Sequence, residues 1–154
     1  MLVLVTGCIA EPNATLPQVW IRADRVTLAK RLWRGLADDG AEFGFELLAP
    51  VKHGETVHQT ATARYVIRQE LEPLLEMSLD IAPSAAAGIG WAIGNLHLEL
   101  AAESSRLLAP DSPAVRQLLE RLKVPYRATT GVFKAGHFVR SRNSTHELGP
   151  SHRH

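Results

Sequence analysis

The sequence predicts an α+β chain of two domains, and three observations carry that expectation. Apolar and polar residues alternate with a period of two through about residues 1–75, the mark of half-buried strands. Two apolar runs at helical spacing then appear, set between short strand-like segments in the order βαββαβ. The length of 154 residues, with 45% hydrophobic and 21% charged residues, suits one ordinary domain or two small ones.

The opening MLVLVTGC has the look of a lipoprotein cleavage box. Too few apolar residues and no Lys or Arg precede Cys8, so the stretch reads as an edge strand with a buried thiol. A polar, Pro-containing loop over residues 13–17 follows. VWIRADRVTLAKRLWRGLADDGAEFGFELLAP is rich in β-branched and aromatic residues, and its Asp39-Gly40 pair signals a two-residue hairpin. Leu28, Leu32 and Leu36 would also fit a helix, but the hairpin context favours strand. Past the turn, Phe43, Phe45 and Leu47 share one face, with Glu42, Gly44 and Glu46 on the other. His53-Gly54 marks a further turn, and in RYVIRQ the residues Tyr65, Ile67 and Gln69 alternate with Arg64, Val66 and Arg68. These strands make an all-β N-terminal domain, residues 1–75.

The second domain, residues 76–135, opens with LLEMSLDI (74–81), a short buried strand at its border. PSAAAGIGWAIGN reads as a helix, with Pro83 suited to the first turn and Gly94-Asn95 supplying the left-handed residue that ends it. LHLEL (96–100) and SRLLA (105–109) read as a strand hairpin. Ser112 is an N-cap and Pro113 a first helical residue, after which Val115, Leu118, Leu119 and Leu122 recur at helical spacing until Pro125. YRATTGVF is the closing strand. The βαββαβ order is the split arrangement of a ferredoxin-like domain. From about residue 136 the text turns polar, and 136–154 reads as a flexible tail with histidines.

Much chemistry is excluded. A formal net charge of +1 gives no bulk attraction to nucleic acid or acidic membranes. No apolar run approaches the ~20 residues of a membrane span. One cysteine allows neither a disulfide framework nor a zinc knuckle, which fits a cytoplasmic protein. Phosphate loops, dinucleotide fingerprints, nucleophile elbows and zinc-protease motifs are all missing, so no enzyme is expected. The acids Asp38-Asp39 belong to a turn. An RNA-binding sheet would want exposed aromatics on its central strands, and LHLEL and SRLLA have none.

Histidine is what remains, at positions 53, 58, 97, 137, 146, 152 and 154. His53 and His58 flank a turn and read as surface residues. His146, His152 and His154 crowd the last nine residues, HELGPSHRH, where several imidazoles in one segment can capture nickel, copper or zinc. In LHLEL, strand alternation turns Leu96, Leu98 and Leu100 inward, leaving His97 and Glu99 outward. One imidazole holds a metal ion poorly, whereas a two-fold axis would bring a second His97 beside the first.

GWAIGNLHLEL at a helix end, inside βαββαβ, resembles the urease accessory metallochaperones of the UreE type. RLWRGLADDGAEFGFEL in the β domain and a histidine-bearing tail add to the likeness. The resemblance implies a nickel-binding metallochaperone, not an enzyme, delivering Ni²⁺ to the urease maturation complex. His97 matches that family's ligand at the dimer interface, and His146, His152 and His154, with His137 a further candidate, match its auxiliary tail ligands. It implies a homodimer, the UreG-type GTPase and the urease apoprotein as partners, and a peptide-binding-like role for the β domain. Leu96 and Ala92 stand where the family often has arginine and histidine, and Asp111-Ser112-Pro113 replaces a His-x-His pair. The resemblance therefore implies the interface site without internal auxiliary sites, with zinc or copper taken up only in vitro. The alternative is a non-metal adaptor that bridges proteins, with His97 incidental.

Overall fold

A computed structural model describes residues 1–141 and 144–147. It is a mixed α+β chain of two compact units, Met1–Glu70 and Leu71–His154. Among the described residues no helix is long and apolar enough to cross a membrane.

The first unit contains β1 (Leu2–Val5), β2 (Gln18–Ala23), the single turn α1 (Arg25–Leu28), β3 (Leu32–Leu36), β4 (Glu42–Glu46), β5 (Thr56–Gln59) and β6 (Arg64–Gln69). They form two three-stranded sheets, β1-β4-β3 and β2-β6-β5. Alternation delivers Phe43, Phe45, Leu47, Tyr65 and Ile67 to one core, as the spacing requires. Trp33 stacks on Phe45 with ring centroids 3.8 Å apart. Gly35 lies beneath them, where a Cβ would meet Ile21 and the Trp33 ring at 2.9 Å.

Three local expectations change. Asp24 caps a helical turn before β3, its carboxylate accepting from the Thr27 N–H at 2.7 Å. The Asp39-Gly40 hairpin closes with a three-residue loop. Gly40 adopts φ +88° and donates to the Ala37 carbonyl, while the Ala37 N–H donates to the Ala41 carbonyl. Cys8 is exposed, not buried, because it lies beyond edge strand β1. The paired acids are structural: Asp38 accepts two hydrogen bonds from Arg22, and Asp39 accepts one from the Tyr65 hydroxyl at 2.7 Å.

The second unit contains β7 (Glu72–Ser78), α2 (Pro83–Asn95), β8 (Ala101–Ala102), β9 (Arg106–Pro110), α3 (Pro113–Arg121), β10 (Arg127–Gly131), β11 (His137–Ser141) and β12 (Ser144–Glu147). Its six-stranded sheet runs β10-β7-β9-β8-β11-β12. The first four strands are mutually antiparallel, whereas β11 joins β8 in parallel through Phe138 and Ala102. Leu75, Met77, Leu107 and Ala109 pack under Ile89 and Ile93 of α2 and Val115, Leu118 and Leu119 of α3. On the opposite face Leu74, Leu108 and Ala101 are covered by Phe133.

The helices match the sequence reading closely. Pro83 opens α2, and the Ser112 hydroxyl accepts from the Val115 N–H at the start of α3. The strand expected at residues 96–100 does not form. Leu96 caps α2, residues 98–100 are irregular, and β8 holds only Ala101 and Ala102. Bonding at the helix end and packing of Leu98 and Leu100 on the helix-side core override the alternating pattern. Polar text after residue 136 instead enters strands. Phe133 anchors the chain across the sheet, and the Gly136 N–H donates to the Leu100 carbonyl at 2.9 Å, which brings β11 to the open edge of β8.

Candidate metal centre

The helix α2 brings His97 to the surface. No ionisable side chain stands between Asp80 and His97, and only Ile89 and Ile93 of the helix are buried. The outward part carries Ala85, Ala87, Gly88 and Trp91, the last 71% exposed; Leu96 adds an exposed side chain at the cap. A helix apolar on all sides normally has a partner on each of them.

At the end of α2 the chain turns sharply. The His97 N–H donates to the Gly94 carbonyl at 2.9 Å, and the Leu98 N–H reaches back to the Ile93 carbonyl at 3.2 Å. This is the Schellman pattern, whose left-handed position is usually glycine. Here it is His97, with φ 56°. Gly94 and Asn95, expected to supply that conformation, remain helical. The imidazole is exposed, as the alternation argument required, although for a different reason. The carbonyl end of a helix carries a partial negative charge of about half a unit, which favours a cation beside it.

The other histidines are dispersed. His137 begins β11 and is half-buried. His146 lies in β12, in register with Phe138. His152 and His154 lie outside the described residues. His53 and His58, read as surface residues, are half-buried: His53 Nδ1 accepts from the Gln69 N–H, and the His58 ring packs against Phe43 and Tyr65. Among the described residues no three His, Cys, Asp or Glu side chains converge on a common point. Among the described residues His97 thus stands as a single exposed ligand.

Sequence reasoning missed Leu98 as part of the turn and Trp91 as the main projection of α2. Ile93 and Leu98, an apolar pair five residues apart around a Gly-Asn, were the available signal for the first. The second was legible in the lack of charge on both sides of α2.

Fold and site define a small two-unit α+β protein that presents an exposed imidazole at the end of an uncharged helix. Residues 72–154, more than half of the chain, match the model of the UreE urease accessory protein C-terminal domain, and the chain belongs to that family. It is similar to the urease accessory protein UreE of Bifidobacterium longum subsp. infantis, at 27% identity over 121 residues. That match covers 79% of this chain and 52% of the relative, so the chain spans about half the length of the curated relative it matches.

Proposed function

We propose that this chain is a nickel-binding metallochaperone, not an enzyme, that hands Ni²⁺ to the urease maturation complex in the cytoplasm. Two His97 imidazoles, one from each subunit of a two-fold homodimer, hold the ion. The observation that carries this reading is the adjacency of an exposed, left-handed His97 to the uncharged face of α2. A two-fold contact through that face sets the same patch against itself, so one ligand becomes two. Neutral imidazole is a good donor for nickel, and two of them leave positions open for exchange during release.

His146, His152 and His154 serve as auxiliary tail ligands, with zinc or copper as competing ions in vitro. The strand order β10-β7-β9-β8, with both helices on one face, supports a ferredoxin-like metal-binding module. The family name and the relative's name support a urease accessory role. The partners in this reading are a UreG-type GTPase and the urease apoprotein. Docking falls to the β unit, where Leu2, Leu4, Leu32 and Leu36 are exposed on β1 and β3.

Equilibrium dialysis against Ni²⁺, with sedimentation on the same samples, tests this. Wild type should bind one tight ion per dimer, His97→Ala should lose it, and deletion of residues 148–154 should reduce only the weaker binding. A chain that takes up no stoichiometric nickel is an adaptor, and the reading fails.

A further inference from the structure

Both helices of the second unit end in the same way. Leu122 closes α3, Lys123 adopts φ 56°, the Lys123 N–H donates to Glu120, and the Val124 N–H donates to Leu119 at 2.9 Å. At α2 the corresponding residues are Leu96, His97, Gly94, Leu98 and Ile93. In each turn the residue after the left-handed one is apolar and packs on the core that contains its own helix: Leu98 with Ile93, Val124 with Leu119. Among the described residues, His97 and Lys123 are the non-glycine positions with positive φ.

A left-handed backbone at a residue with a Cβ costs on the order of 1–2 kcal/mol, so it persists only where its surroundings hold it. At His97 two groups do so. One is the pair of backbone bonds to Gly94 and Ile93; the other is the Leu98 side chain, which fastens the following residue to the core. If Leu98 lets go, His97 is free to return to extended backbone, which turns its Cα–Cβ bond to a new direction. An exposed imidazole for which the described residues supply no side-chain anchor is then no longer aimed.

We propose that Leu98 is a positioning residue for the His97 imidazole, acting by holding residue 97 left-handed at the end of α2. The proposal rests on the reading of His97 as the nickel ligand. It adds that affinity depends on a half-buried hydrocarbon group that touches no metal. Lys123 and Val124 supply the control, because the same turn in the same core carries no ligand there.

Nickel titrations and thermal melts of the full chain test it with Leu98→Ala, Leu98→Met, Val124→Ala and His97→Ala. Leu98→Ala should weaken nickel binding about tenfold or more at temperatures well below its melt, the size typical when a group supporting a ligand is lost. Val124→Ala should lower the melt yet leave affinity unchanged within about twofold, and Leu98→Met should restore binding because it refills the site. If Leu98→Ala does not fold, Leu98→Val takes its place. Wild-type affinity in the folded Leu98 variant, an equal loss in Val124→Ala, or no rescue by methionine overturns the positioning role. Tight binding retained by His97→Ala overturns the underlying ligand reading instead, whatever the Leu98 variants show.

Discussion

His97 and Lys123 occupy positions where glycine would cost least, and their substitutions should separate stability from ligand supply. His97→Gly should raise the unfolding free energy by about 0.5–1 kcal/mol, since relief of the left-handed Cβ exceeds the extra chain entropy of glycine. It should also abolish tight nickel binding. Lys123→Gly should give the same gain with nickel binding intact. Chemical denaturation of both variants checks the pair, and a loss of stability in both would mean that no strain is stored there. At this scale the sequence was half legible. Exposure of His97 followed from its neighbours, but its conformation did not. Leu-His-Leu-Glu-Leu has the period of a strand, and the bonds from His97 to Gly94 and from Leu98 to Ile93 show that the helix end claims it.

The two longer helices were readable almost to the residue because Pro83, Ser112 and Pro113 act locally. β11 and β12 were not, since their pairing depends on a distant edge and polar residues tolerate either state. The central strands have a polar fastening as well as an apolar one. On β7, Glu76 accepts from Arg106 of β9 and from Arg127 of β10, and Arg106 also donates to Glu103. Those guanidinium groups, Arg106 first, hold the Glu76 carboxyl below its ordinary value of 4.5. A carboxyl with a depressed folded value stabilises above its unfolded value and loses that contribution as pH falls through the folded one. The second unit should therefore weaken progressively below about pH 4.5. Unfolding midpoints measured down to pH 3 should show a shallower acid dependence in Glu76→Gln. An unchanged slope would assign the acid sensitivity to other carboxylates such as Asp111, which Arg116 also depresses.

For the whole molecule the decisive quantity is self-association. Trp91 is 71% exposed on a helix without charge, so Trp91→Glu should leave the second unit folded while setting two carboxylates against each other in the proposed two-fold contact. Sedimentation should show monomers, and the tight nickel site should vanish although His97 is untouched. A dimer that survives with nickel bound places the contact elsewhere. α+β character and a separate β unit were evident from periodicity; the exposed, uncharged face of α2 was evident only in the structure.

Phe133 has a consequence for how far apart the histidines stand along the chain. Its crossing behind β7, β9 and β8 carries the chain from the β10 border to Leu100, where Gly136 is hydrogen-bonded. Through that bond the path from His97 to His137 bypasses β9, α3 and β10 altogether. The effective loop between these two imidazoles is then short, and closing it costs correspondingly little entropy. A bulky aromatic on the back of the sheet thereby shortens the path between His97 and His137, which stand 40 residues apart in the sequence.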